Sequence, residues 1–123
     1  MSRNNGAELV ETYAQEIDGD LLVLTADGGI NRGTAQQLVE SIGKLVEAGV
    51  KNVIIDFSKV DLITSSGIST LLTVHRSMKN RGANVKLAGL HGMVAQVLQL
   101  SRLDKIFEMY PDVPQARLAF RVA

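Results

Sequence analysis

Val53-Ile54-Ile55-Asp56-Phe57, then Thr64-Ser65-Ser66-Gly67, then apolar positions at Ile68, Leu71, Leu72 and Met78: this stretch carries the alternation from which the fold is read. A short, nearly continuous apolar run predicts a strand buried on both faces. The positions after it, with His75 among them, have helical spacing and predict a helix from about Ser66 to Lys79, stopping before Arg81-Gly82. The hydroxyl cluster therefore sits at a helix entrance, where free N–H groups and a partial positive charge favour an anion. A phosphate on a serine there gains local hydrogen bonds, while its charge disturbs any partner docked on that surface.

Outward from this unit, Leu9 to Ile17 and Leu21 to Ala26 favour strands, and Asp18-Gly19 between them signals a tight hairpin. Thr34 with Gln37 reads as a capping box, followed by an apolar face of Ala35, Leu38, Val39, Ile42, Leu45 and Val46 that ends at Gly49. Beyond the central unit, Val85 to Ala88 predicts a strand, and Met93, Val94, Val97 and Leu98 a short helix. Asp112 with Gln115 caps a last helix carrying Ala116 and Phe120. Strands alternating with helices imply an α/β fold: a mixed β-sheet with parallel crossovers, flanked by about four α-helices and opening with a β-hairpin.

The chain has 123 residues, which suits a single domain spanning 1–123. Thirteen Lys plus Arg balance thirteen Asp plus Glu, so no basic stripe is expected for a phosphate backbone, and nucleic acid is not an expected partner. The absence of cysteine excludes disulfides, thiolate metal sites and cysteine nucleophiles. Met1-Ser2-Arg3-Asn4-Asn5-Gly6 lacks the apolar core of a signal peptide and no later run has membrane-spanning length, so a cytoplasmic protein without membrane insertion is expected.

Catalytic constellations are not found. Gly28-Gly29-Ile30-Asn31-Arg32-Gly33 lacks the spacing of a dinucleotide or Walker loop, and these glycines are expected to shape the turn into the first helix. Gly89-Leu90-His91-Gly92 has the bare form of an RNA-binding GXXG loop, which the neutral charge argues against. Neither His75 nor His91 has a second ligand at metal spacing, and a packing or surface role is expected for His75. Ser65 lacks a nucleophile elbow and a base. No enzyme activity, cofactor or metal is expected. Thr64, Ser65 and Ser66 are all competent helix caps, whereas Gly67 costs about 1 kcal/mol relative to alanine in a helix and so implies close approach by another chain or by backbone. Ile68 fits either an apolar partner contact or a core-facing first turn.

The string Asp56-Phe57-Ser58-Lys59-Val60-Asp61-Leu62-Ile63-Thr64-Ser65-Ser66-Gly67-Ile68 resembles the STAS domain, in particular anti-sigma factor antagonists. The resemblance extends to the leading hairpin, the Gly28 to Asn31 turn before Thr34-Ala35, and the late stretch from Val97 to Ile106. It implies a protein that binds a serine-kinase anti-sigma factor when unphosphorylated, is released by phosphorylation, and is restored by a metal-dependent serine phosphatase. The matching phosphoacceptor is Ser65, and the implied partner surface comprises Asn31, Thr64, Ser65, Ser66, Gly67 and Ile68. Thr64 and Asn31 stand where the family commonly carries aspartate, leaving Asp56 and Asp61 as the nearby acidic groups. The alternative implied by the family is a constitutive interaction module, for example of a lipid-transport complex, in which Ser65 merely caps a helix.

Overall fold

The computed structural model describes residues 13–121. Among these residues, five strands form one sheet in sequence order: β1 (Tyr13–Asp18), β2 (Leu21–Ile30), β3 (Asn52–Ile63), β4 (Asn84–Ala88) and β5 (Glu108–Tyr110). β1 and β2 are antiparallel, and every later neighbour is parallel. Four helices lie between or after the strands: α1 (Arg32–Glu47), α2 (Ser65–Asn80), α3 (Gly92–Leu100) and α4 (Val113–Arg121), with a short 3-10 turn at Leu103–Lys105. The predicted α/β class, the mixed sheet, the hairpin and the four helices agree with this architecture. The first residues of the predicted opening strand, 9 to 12, lie outside the described residues.

Side-chain alternation sorts the core into two layers. Leu22, Leu24, Val53, Ile55, Phe57, Val85 and Leu87 point to one face and meet α1, α2 and α3 through Leu38, Ile42, Leu71, Val74, Met78, Val94 and Leu98. Leu21, Val23, Ile54 and Ala88 point to the other and are covered by Ala116 of α4 with Val113 and Phe120. Val53, Ile54, Ile55 and Phe57 are all 0 % exposed, which is why β3 reads as a continuous apolar run rather than an alternating one. Each such side chain contributes about 1.5–3 kcal/mol by leaving water.

The structure corrects four boundaries. The hairpin loop is Gly19-Asp20, one residue later than predicted, because Asp18 pairs with Leu21 and Gly19 takes the positive φ of +63°. The Gly28 to Ile30 segment is not a turn but the end of β2, and β3 runs on past Phe57 to Ile63. There the two strands continue as a ribbon, Asp27 opposite Lys59 and Ile30 opposite Ile63, after β4 has ended at Ala88. Register shifts on either side of Asp27-Gly28 kink this ribbon, and Gly28 at φ +86° absorbs one of them. Thr34 is not the cap of α1 but its third residue; the cap is Asn31. The strand β5 was not predicted, since three residues carry too little periodicity to read.

Candidate functional site

Two helix entrances lie side by side at the carboxyl end of β2 and β3, held by three consecutive residues of β2 and its exit. The Asn31 carboxamide oxygen accepts from Gly33 N (2.9 Å) and Thr34 N (3.1 Å), and Thr34 Oγ1 accepts in return from Asn31 N at 2.9 Å. This reciprocal pair satisfies the first amides of α1. Thr34 Oγ1 also donates to Gly29 O at 3.0 Å, tying α1 to the ribbon. The neighbouring carbonyl, Ile30 O, accepts from Thr64 N at 2.9 Å and Thr64 Oγ1 at 3.5 Å, so the same β2 end fixes the start of α2.

Thr64 is the cap of α2: its extended backbone precedes the helix and its Oγ1 accepts from Gly67 N at 3.1 Å. The helix therefore begins at Ser65 rather than Ser66, and the reading in which Ser65 is the cap is overturned. A threonine at the junction is better placed for capping because its amide is already held by Ile30 O. Ser65 and Ser66 are exposed, and neither hydroxyl has a hydrogen-bond partner among the described residues. The amides of Ser65 and Ser66 are likewise left free by a cap that reaches only Gly67.

Gly67 is buried, and a Cβ built there would stand 2.6 Å from Ile30 O and 3.0 Å from Ile30 Cγ2. The close approach expected of this glycine is thus made by the protein's own strand. Ile68 is half-buried and packs against the main core, in keeping with a core-facing first turn. Of the six predicted partner-surface residues, Asn31, Ser65 and Ser66 are exposed, Thr64 and Ile68 are half-buried, and Gly67 faces inward. Two groups beside them were not predicted: exposed Arg32, the first residue of α1, and Leu62, 48 % exposed with its side chain against Gly29. No alternation along β3 signals this: past Phe57 the buried residues are Val60 and Ile63, three apart, and the register shift opposite Gly28-Gly29 leaves both Asp61 and Leu62 exposed.

Neither α1 nor α2 has an acidic residue in its first turn. The positive ends of two helix dipoles and Arg32 therefore meet here without a carboxylate on the helices to offset them. Asp61 is exposed on the ribbon, whereas the Asp56 carboxylate is turned to Ser58 N at 2.9 Å, where β4 ends. The two histidines lie elsewhere. His75 packs edge-on against Phe107 with ring centroids 5.1 Å apart, the packing role expected of it, and burial together with Lys79 and Arg76 lowers its pKa. His91 Nε2 lies 3.1 Å from Ser58 O, so the Gly89-Leu90-His91-Gly92 loop serves as the link from β4 to α3.

The sequence profile of the STAS domain matches residues 12–116. The chain belongs to the STAS domain family. Among relatives of this STAS domain, the candidate anti-sigma factor antagonist BtrV of Bordetella bronchiseptica is 28% identical over 108 residues, covering 88% of this chain and 92% of that protein. A candidate anti-sigma factor antagonist from Thermotoga maritima, known from a crystal structure, superposes with a TM-score of 0.81 at 20% identity, over 93% of this chain and 98% of that one. The Bacillus cell fate determinant SpoIIAA in its phosphorylated form superposes with a TM-score of 0.67 at 18% identity, over 90% and 99% of the two chains. Its unphosphorylated form gives a TM-score of 0.66. At these identities the structural likeness speaks for the fold of this STAS domain. No helix among its described residues is long and apolar enough to cross a membrane.

Proposed function

We propose that this STAS domain is a non-catalytic, cytoplasmic anti-sigma factor antagonist switched by phosphorylation at Ser65. In this reading the unphosphorylated domain binds a serine-kinase anti-sigma factor, phosphorylation releases it, and a metal-dependent serine phosphatase restores binding. The observation that carries the proposal is the Ser65 hydroxyl: exposed, unbonded and in the first turn of α2, beside the entrance of α1. A kinase can reach it without unfolding the helix, because the cap is Thr64 and not Ser65.

The phosphate brings about −1.5 to −2 charges near neutral pH. Within the domain it meets the free amides of Ser65 and Ser66 and two helix N-termini, so the modified state is tolerated by the fold. Toward a partner the same charge replaces a small neutral hydroxyl at the contact, and an interface closed over it loses both fit and electrostatic match. The names of the relatives support antagonist activity, and SpoIIAA, known in phosphorylated and unphosphorylated forms, supports a switch of this kind. Thr64 and Asn31, which stand in place of the usual aspartates, both cap helices, a task that aspartate also performs.

The test is a pull-down from the native cytoplasm with wild type, Ser65→Ala and Ser65→Asp as baits, read by mass spectrometry. A kinase-type anti-sigma factor is expected on the first two and not on the third, and incubation of that complex with ATP should add phosphate to Ser65. The same partners on all three baits would leave a constitutive adaptor and remove the switch.

A further inference from the structure

At the opposite end of α2 lies an open groove of about 280 Å³ whose lining includes Leu72, His75, Arg76, Lys79 and Ile106. It adjoins a second concavity of about 260 Å³, which shares His75, Lys79 and Ile106 and reaches Phe120 of α4. The floor is apolar: Ile106 is 40 % exposed, Leu72 is half-buried, and the His75 ring stands on Phe107. The rim is cationic. Arg76 and Lys79 stand at the mouth of the groove and, like most of the described cations, have no ion pair among the described residues; the charge of Lys79 also acts on Glu108 in the adjoining wall. The first groove has no carboxylate in its lining, and Glu108 in the adjoining wall is held by Lys86 and Tyr110. An apolar floor with two cations and no carboxylate around it is complementary to an occupant that brings both an apolar side chain and negative charge.

We infer that this groove docks an acidic segment of a partner protein, an apolar side chain resting on Leu72 and Ile106 while flanking carboxylates reach Arg76 and Lys79. A single large apolar anchor fits a concavity of this size, and the long stems of Arg76 and Lys79 can lie along it with their charges at the mouth. Arg76 and Lys79 are about 16 and 21 Å along the helix from Ser65, at 1.5 Å per residue. The second partner thus binds away from the switch, and its docking does not depend on the state of Ser65.

The experiment is an amide NMR titration of the whole domain with a capped synthetic peptide in which leucine pairs alternate with glutamate pairs. Its glutamine counterpart serves as the neutral probe. Shifts are expected to cluster within 72–80 and 104–108. The Arg76→Glu/Lys79→Glu double variant should weaken binding about tenfold or more, as should about 1 M salt, where the Debye length is about 3 Å. Ile106→Gln should weaken it separately through the apolar floor, and Ser65→Asp should bind like wild type. Shifts elsewhere or none, equal binding of the glutamine peptide, or indifference to both groove variants would overturn the inference. So would the same shifts produced without peptide by concentrating the protein, by benzoate, or by phosphatidylglycerol vesicles, which would assign the groove to a second copy, a small anion or a membrane surface.

Discussion

At the scale of single residues, the site depends on one carbonyl. Ile30 O holds the amide of Thr64 and leaves no room for a Cβ at Gly67. Gly67→Ala should therefore cost about 1–3 kcal/mol in urea denaturation, the usual penalty of overpacking, because the clash at 2.6 Å is with backbone that cannot rotate away. Gly33→Ala is the control. Its Cβ would meet Asn31 Oδ1 at an ordinary 3.6 Å, so helix propensity should dominate and the variant should be neutral or more stable by up to about 1 kcal/mol. A larger loss at Gly33 than at Gly67 would reject this account. That Gly67 has a crowded environment is readable from its position in a helical pattern; that the crowding comes from residue 30 is not, since the two lie 37 positions apart along the chain and meet only in the fold. Likewise, three adjacent hydroxyls are equal as caps in sequence, and the contact with Ile30 O selects Thr64, leaving Ser65 free.

Among the elements, the helices were legible from their apolar faces and the strands less so. Ala35, Leu38 and Ile42 of α1 and Leu71, Val74 and Met78 of α2 recur at helical spacing because one face of each helix meets the same side of the sheet. The β2–β3 ribbon was not legible, because its pairing, rather than local propensity, keeps Gly28, Gly29 and Ser58 to Leu62 extended. The end of α3 has its own local cost. Arg102 adopts φ +61° just after the helix, where glycine is the usual residue, and its amide donates to Gln99 O. A left-handed residue other than glycine costs about 1–2 kcal/mol, part of which glycine gives back through the entropy of the unfolded chain. Arg102→Gly is thus expected to raise stability by about 0.5–1 kcal/mol, measurable as a higher denaturation midpoint at unchanged m. Destabilisation would mean that the guanidinium stem contributes packing that outweighs the backbone relief.

For the molecule as a whole, an ion pair on the second face of the sheet contributes a pH dependence that can be tested. Lys86 projects beneath α4, with its ammonium 4.7 Å from the Phe120 ring centroid, paired with Glu108 and near Tyr110. Burial opposes its charge, but the hydrogen bonds to Glu108 and Tyr110 and the charge of Glu108 outweigh it, and the Lys86 pKa rises above 10.5. The hydrogen bonds from Lys86 and Tyr110, with the charges of Lys86 and Lys79, outweigh burial and lower the pKa of Glu108 below its ordinary 4.5. A carboxylate with a lowered pKa adds stability that is fully present above the unfolded value and is lost as pH falls through the folded one. Compared with Glu108→Gln, wild type should therefore be more stable at neutral pH, and the difference should vanish in the acid range below about 4.5. Because the Glu108 side chain is 67 % exposed, the difference should be at most about 1 kcal/mol. A difference that persists at low pH would show that the glutamine alters packing rather than the ion pair. The raised pKa of Lys86 acts in the other direction, its contribution being lost only as pH rises beyond 10.5.

Local order along the chain was enough to establish alternating strands and helices, an apolar β3 and a hydroxyl cluster at the entrance of α2, because these follow from side-chain periodicity and capping chemistry within a few residues. Tertiary structure alone decided that Thr64 caps, that Ser65 stays free, that two helix entrances meet, and that Arg76 and Lys79 border an apolar groove. Each of these depends on contacts between segments distant in sequence, such as the 34 residues from Ile30 to Thr64, and strand pairing rather than local preference brings those segments together.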